Sequence, residues 1–575
     1  MPPCNVNVAS EDYADFIHHH NDRPLDVLTG EGTDCIDYVN QEYFVNYVPL
    51  DNALPITIQK YAYRQIPDLY ALLDTSSMEA AGIIAASNQP VLNFQGRGTI
   101  IGLIDTGIQY QNPLFQNSDG TTRILAIWDQ TINVEPYGVT RDTPEQSILY
   151  GHEYTQDDIN QALKSEDPLS IVPSTDTNGH GTFMAGIAAG SATSNEDFVG
   201  AAPGCMIAIV KLKPAKQYLR DYYLIQPNAI AYQENDIMMG VKYLQDLAQR
   251  HQMPLTVCIG LGTNQGNHDG ISPLALTLDI LGTYNGVIAV CAGGNETGYQ
   301  HHYLGNMSAS DEVEQIELRV STDEPGFILE FWARDPELYS VGFISPSGEQ
   351  VLRVPNIAGN ETRASFLLEE TVITVNYLYA EYGSGNQLIF MRFVNPAPGI
   401  WRIRVFNHIY INGQYNMWLP VHGFTNENTI FLQANPDTTI TEPGNALFPI
   451  TVAAYNHDNN SLYIHSSRGY TRSGQIKPTI TAPGVDVYGP GLAIGTTFPM
   501  VRMTGTSVAA AHVAGAVANL LSWGIVQGND RTINDATIRA YLVRGADRLP
   551  VYTYPNKEWG YGTLNLYQSF TRLRP

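Results

Sequence analysis

Two apolar runs along the chain end in small or polar residues and two more begin from them, and these junctions predict where its chemistry sits. Ile100-Ile101-Gly102-Leu103-Ile104 runs unbroken into Asp105-Thr106-Gly107. A short continuous apolar run before such a turn predicts a parallel strand covered on both faces, ending in a carboxylate. Asn178-Gly179-His180-Gly181-Thr182 opens a small-residue segment, Phe183-Met184-Ala185-Gly186-Ile187-Ala188-Ala189-Gly190, that predicts a helix with a histidine at its start. The flanking glycines let another backbone come close. Val287-Ile288-Ala289-Val290-Cys291-Ala292 predicts a further strand, running into Gly293-Gly294-Asn295. Gly505-Thr506-Ser507 leads into an alanine-rich helix predicted from 508 to about 521.

The pattern changes twice. Residues 43–48 (Tyr-Phe-Val-Asn-Tyr-Val) read as a strand inside an N-terminal region of about 75 residues. Between about 306 and 435 the chain offers short strand-like runs, among them Phe327-Ile328-Leu329-Glu330-Phe331-Trp332, Ala364-Ser365-Phe366-Leu367-Leu368 and Ile400-Trp401-Arg402-Ile403-Arg404-Val405. Turn signals such as Ser345-Pro346-Ser347-Gly348 and Ala397-Pro398-Gly399 separate them. Many short strands with this punctuation predict a β-sandwich or jelly roll. Long apolar blocks resume at Phe448-Pro449-Ile450-Thr451-Val452-Ala453-Ala454.

Composition narrows the field. The chain has 575 residues, 43% of them hydrophobic, too many for one ordinary domain and enough for a large core. It has no unbroken run of 18 apolar residues, so no membrane-spanning helix is expected. A formal charge of −26 argues against nucleic acid and anionic membranes as partners. The five cysteines (Cys4, Cys35, Cys205, Cys258, Cys291) are odd in number and scattered, which reads as buried thiols rather than a disulfide framework. The opening Met1-Pro2-Pro3-Cys4-Asn5-Val6-Asn7 shows neither a basic segment nor an apolar stretch, so no conventional secretory signal is expected. His18-His19-His20 sits among acidic and polar residues with no ligand spacing, and no metal or cofactor is expected.

A serine hydroxyl is a poor nucleophile at neutral pH and needs a base beside it. A serine at a helix N-terminus, a histidine at another and an aspartate at a strand end supply those parts. The three blocks resemble the catalytic signatures of the subtilisin family of serine peptidases, in that family's order Asp, His, Ser. The resemblance covers roughly residues 77–300 and 440–570. It implies a subtilisin-like α/β fold with a doubly wound parallel sheet, and peptide or protein substrates. Ser507 would be the nucleophile, His180 its general base and Asp105 the group that orients the imidazole. Asn295 would donate its side-chain amide to the oxyanion, beside the backbone N–H of Ser507. Gly260, Leu261 and Gly262 would line one side of the primary specificity pocket, and Ala292, Gly293 and Gly294 the other. The family often has serine where Gly260 stands, and serine and proline where Ala510 and Ala511 stand.

The resemblance divides the chain into a prodomain-like α+β region (1–75), a catalytic domain in two parts (76–305 and 436–575) and an inserted all-β domain (306–435). Ser77-Met78-Glu79-Ala80-Ala81-Gly82-Ile83 resembles a mature enzyme's start, which puts self-cleavage near Asp74 to Ser77, with the propeptide staying docked as a partner. A permanent N-terminal subdomain is the other reading of residues 1–75. Prodomain, β-rich insert and no secretory signal together are similar to the clostridial Csp-type subtilases. That likeness implies limited proteolysis of a spore cortex-lytic enzyme during germination and a cytoplasmic or spore-associated location. Two rivals remain open: a general bacterial protease without a spore role, and a glycan- or protein-binding module with vestigial catalysis.

Overall fold

The computed structural model describes residues 6–19, 35–72, 81, 83, 95–135, 137–141, 147–192, 198–309, 312–355 and 361–572. Its centre is a nine-stranded sheet. In chain order the strands are β1 (Ile100–Asp105), β2 (Ile124–Asp129), β3 (His152–Thr155), β4 (Met206–Lys211), β5 (Leu255–Ile259), β6 (Val287–Ala292), β7 (Ile450–Asn456), β8 (Ser461–Leu462) and β9 (Ile480–Pro483). In space they run β8-β7-β6-β5-β1-β4-β2-β3, with β9 also paired to β7. All pairs are parallel except β2 with β3 and β7 with β8.

The unbroken apolar run of β1 has a direct cause. Ile101 and Leu103 join one core, with helices α2 (His180–Ala189) and α6 (Thr506–Leu521). Ile100 and Ile104 join the opposite core, with α4 (Glu234–His251) and α5 (Pro273–Leu281). The smaller helices α1 (Gln156–Leu163) and α3 (Gln217–Tyr223) lie outside these pairs, and α7 (Asp535–Gly545) closes the α6 side. Both faces of the sheet are thus covered, as a parallel sheet requires. α2 and α6 pack tightly because Gly515 is small: a Cβ there would meet Cβ of Ala201 at 2.3 Å and the Ala188 carbonyl oxygen at 2.8 Å. The Thr506–Val526 stretch is long and apolar enough to cross a membrane by length and composition, but it is 89% buried inside the protein.

Strands Tyr13–His19, Ile36–Tyr38 and Tyr43–Pro49 form an antiparallel sheet with the last in the middle. It docks near the start of α4 through buried charges: Asp15 meets Lys216 at 2.6 Å and Lys213 at 3.8 Å, and Lys213 in turn reaches Asp236 of α4 at 2.6 Å. Cys35 corrects the expectation of free thiols only: it is disulfide-bonded, whereas Cys205, Cys258 and Cys291 are free and buried.

Residues His302 to Phe431 make two antiparallel sheets, of six and five strands, and none of their strands joins the central sheet. The two share a core that includes Phe327, Leu329 and Phe331. The alternate residues Ile328 and Trp332 pack outward, against Phe16, Ile66 and Leu69 of the N-terminal region and Tyr222 of α3. The Phe327–Trp332 run is therefore apolar on both faces because both are covered. Its one charged residue, Glu330, is buried but satisfied by Tyr63 Oη, Trp332 Nε1 and the Gly266 N–H at 2.8, 2.9 and 3.0 Å.

Candidate active site

Asp105 ends β1 at the carboxyl edge of the parallel sheet, where open α/β sheets bind their ligands. It is 2% exposed, and its Oδ1 accepts the Thr106 N–H at 2.7 Å. His180 begins α2, and its Nδ1 lies 2.8 and 2.9 Å from the two Asp105 oxygens. Its Nε2 lies 3.1 Å from Ser507 Oγ, in the first turn of α6. The three predicted residues, 75 and 327 positions apart in sequence, thus form one continuous hydrogen-bonded line.

Two small residues allow this approach. A Cβ on Gly181 would stand 2.2 Å from the Gly107 carbonyl oxygen and 3.2 Å from Asp105 Oδ1. A Cβ on Gly260 would stand 3.0 Å from Ser507 Cβ, 3.1 Å from His180 Cε1 and 3.2 Å from Met184 Cε. Gly260 therefore lies directly against Ser507 and His180, and Met184 fills space beside it.

Asp176 is a buried carboxylate beside this line that the sequence pattern does not announce. Its Oδ1 accepts from the Asn178 and Gly179 N–H groups at 2.9 and 2.8 Å and from Thr106 Oγ1 at 2.9 Å. Its Oδ2 accepts the N–H and hydroxyl of Thr182 at 2.9 and 2.7 Å. The carboxylate serves the orphan donors at the start of α2 and ties them to the residue after Asp105. A lone aspartate in a Thr-Asp-Thr-Asn loop looks like an ordinary turn residue; only an Asx-type cap four residues before the histidine hints at this role.

Asn295 follows β6. Its Oδ1 accepts the N–H and Oγ1–H of Thr506 at 3.1 and 3.0 Å. The amide's oxygen is thereby committed to the α6 start, and the Nδ2 hydrogens are what it has left to offer beside Ser507. Ala292, Gly293 and Gly294 lead into it, all buried, with Gly293 N–H on the Val452 carbonyl at 2.9 Å and Gly294 N–H on Thr506 Oγ1 at 3.1 Å.

Leu261 and Gly262 pair with the chain's own segment. Strand Leu69–Leu72 is antiparallel to Leu261–Gly262 on one side (Leu72 opposite Leu261, Ala71 opposite Gly262) and to Tyr232–Gln233 on the other. The segment runs toward Gly260, and so toward Ser507. The bonds from Asp74 to Ser77 lie outside the described residues.

Burial pushes the Cys291 thiol up to about 12 and the Cys258 thiol well above its ordinary value, so neither is a ready nucleophile near neutral pH. Among the described residues no group of three or more His, Cys, Asp or Glu side chains is arranged to hold a metal ion.

The chain matches the subtilase family model (Peptidase S8) over residues 96–325 and 384–562. It is similar to the CspB protease of Clostridium perfringens, with a TM-score of 0.74 and 32% identity over 85% of this chain and 96% of that one. Among curated proteins it is 23% identical to the subtilisin-like protease SBT3.3 of Arabidopsis thaliana over 49% of this chain and 37% of that protein. It is 27% identical to SBT3.4 of the same plant over 40% and 30% respectively. The chain spans about a third of the length of these curated relatives. With more than half of its residues on the family model, the chain belongs to the subtilases, and it is a subtilisin-like serine peptidase.

Proposed function

We propose that the chain is an endopeptidase that works through an acyl-enzyme on Ser507. His180 takes the Ser507 proton as Oγ attacks the scissile carbonyl, then gives that proton to the leaving amine. Asp105 holds the Nδ1–H and stabilises the imidazolium. Asn295 Nδ2 and the Ser507 N–H, at the positive end of α6, receive the oxyanion. The observation that carries this reading is the Asp105–His180–Ser507 line with its 2.8 and 3.1 Å contacts. Ser507→Ala and His180→Ala are each expected to abolish peptide hydrolysis in a protein that still folds; near-wild-type turnover by purified Ser507→Ala would refute the assignment.

We further propose that residues 1–75 are a prosegment lying in its own cleft, that 306–435 are an inserted jelly-roll-like domain, and that the substrate is a spore cortex-lytic enzyme activated by limited proteolysis. The strand Leu69–Leu72 supports the first, since it occupies the cleft wall in the direction of an acyl group. The two sheets between His302 and Phe431 support the second. Likeness to the CspB protease supports the third. Wild type is expected to cut itself near Asp74–Ser77 and keep the small fragment bound, while Ser507→Ala stays intact. Incubation with a cortex-lytic zymogen tests the substrate: a single Ser507-dependent cut that switches on its activity is expected, and no cut removes the germination role.

A further inference from the structure

The residue after Asn295 is a glutamate whose contacts reach three separate parts of the molecule. Glu296 is 4% exposed. Its carboxylate accepts from Asn264 Nδ2 at 2.8 Å, two residues beyond Gly262 on the cleft wall. It also meets His301 Nδ1 at 3.2 Å and accepts the backbone N–H of His422 at 3.1 Å, just past the strand Gln414–Trp418 of the six-stranded sheet. The Glu296 N–H donates to Ser467 Oγ at 3.0 Å, and the Ser467 N–H donates to the Gly294 carbonyl at 2.9 Å. Both chain neighbours of Asn295 are therefore tied down, Gly294 also through Thr506. The turn that follows is stacked in place: Tyr299 lies between the rings of His422 and His465, at 3.9 and 4.4 Å, and His465 Nδ1 meets the Thr297 carbonyl at 2.9 Å. Burial favours the neutral acid, but the donors, led by His301, outweigh it and hold the Glu296 carboxyl below its ordinary range.

We propose that Glu296 is a positioning residue for the oxyanion site, fastening the Asn295 loop at once to the cleft wall at Asn264 and to the turn at His422 that follows the six-stranded sheet's strand Gln414–Trp418. Oxyanion donors stabilise a transition state because they are fixed before charge develops. A displacement of about 1 Å at such a site costs on the order of a hundredfold in rate. Thr506 holds the Asn295 side chain, and Glu296 holds the backbone that carries it. With its carboxylate filled by protein donors, Glu296 has little left to offer a substrate side chain. The sheets between His302 and Phe431 thereby become part of the frame of the reaction centre.

The inference rests on the peptidase reading, and its test separates the two. Glu296→Gln keeps the volume but removes the charge, and since Asn264 Nδ2 donates to one carboxylate oxygen and the His422 N–H to the other, its N–H₂ must face one of these donors. It is expected to lower kcat by about tenfold or more with KM within about twofold of wild type. Affinity for a peptide aldehyde, which forms an oxyanion on Ser507, is expected to fall by the same factor. Glu324→Gln serves as control: Glu324 is likewise buried among three donors, Gln226, Asn426 and Thr429, and its loss should leave kcat unchanged. If kcat and aldehyde affinity of Glu296→Gln stay within about twofold of wild type, the proposal is wrong. A raised KM at constant kcat also overturns it, because Glu296 would then contact substrate. If Glu296→Gln does not fold, His301→Gln is measured in the same way, with a smaller loss of kcat expected and the same results overturning it. Absence of any Ser507-dependent turnover in wild type would overturn the peptidase reading, and this inference with it.

Discussion

At the scale of single residues, the site is a problem of close approach, and Gly181 tests it best. A methyl group there must displace the Gly107 carbonyl or push α2 away from the Asp105 turn. Gly181→Ala is expected to cost about 1–3 kcal/mol of stability by overpacking. It should also cut kcat more than it raises KM, because the His180–Asp105 contact is what lengthens. Thermal unfolding and steady-state kinetics together check this; an unchanged kcat would show that the loop yields freely. Asp105→Asn should retain the fold and lose roughly ten-thousandfold in kcat, since the amide cannot hold the required imidazole tautomer. Asp105, His180 and Ser507 were legible in the sequence because each sits at the end of an apolar run or the start of a small-residue one. Asp176 and Glu296 were not. Asp176 draws its donors from Asn178, Gly179 and Thr182 just downstream and from Thr106, so in sequence it passes for an ordinary turn residue; Glu296 gathers Asn264, His301 and His422, and no periodicity marks either.

At the scale of elements, the strand Leu69–Leu72 is the least expected and most consequential. Four residues, Leu-Tyr-Ala-Leu, show too short a pattern to predict a strand, and their partners are two-residue strands from distant parts of the chain. Only the assembled cleft makes them extended, with the Leu69 N–H donating to Gln265 Oε1 at 2.7 Å. The central strands β1 and β6 were readable, since burial on both faces writes itself as an unbroken apolar run. The antiparallel strands from 302 onward were readable as strands, but not that their outer face would be buried against the N-terminal region. If Leu69–Leu72 limits access to Ser507, loosening it should quicken labelling by a fluorophosphonate. Ala71→Asp places a charge opposite Gly262 and is expected to raise the labelling rate at least severalfold over wild type. An unchanged rate would mean that the segment already leaves the cleft faster than the reagent reacts.

At the scale of the whole molecule, three parts of the chain meet over buried acids, so their union should depend on pH. The N-terminal region contributes Asp68, α4 and the loop at Glu442 contribute two glutamates, and the six-stranded sheet contributes Glu330. Burial raises Glu234 and Glu330 to about 7 and Glu442 to about 8, against an ordinary 4.5, and raises Asp68 as well. Glu442 is held by Ser272 Oγ and Asn445 Nδ2, both at 2.9 Å, and it feels Glu234 and, with opposite sign, Arg64, whose Nε meets Glu381 at 2.9 Å. A carboxyl whose pKa rises on folding binds its proton more tightly in the folded state. Its contribution to stability is whole below about pH 4.5 and is lost as pH climbs through the folded value near 8. Other groups oppose this: Lys477, lowered to about 7, gains stability as pH rises above that value. The clean measurement is therefore a difference. Glu442→Gln deletes one titration and leaves the rest, so denaturant unfolding of wild type and variant at pH 5, 6.5 and 8 should diverge steadily. The variant should gain relative to wild type, by at most about 1.4 kcal/mol per pH unit. A pH-independent difference would mean that Glu442 is charged in the folded protein already, its burial offset by its two donors.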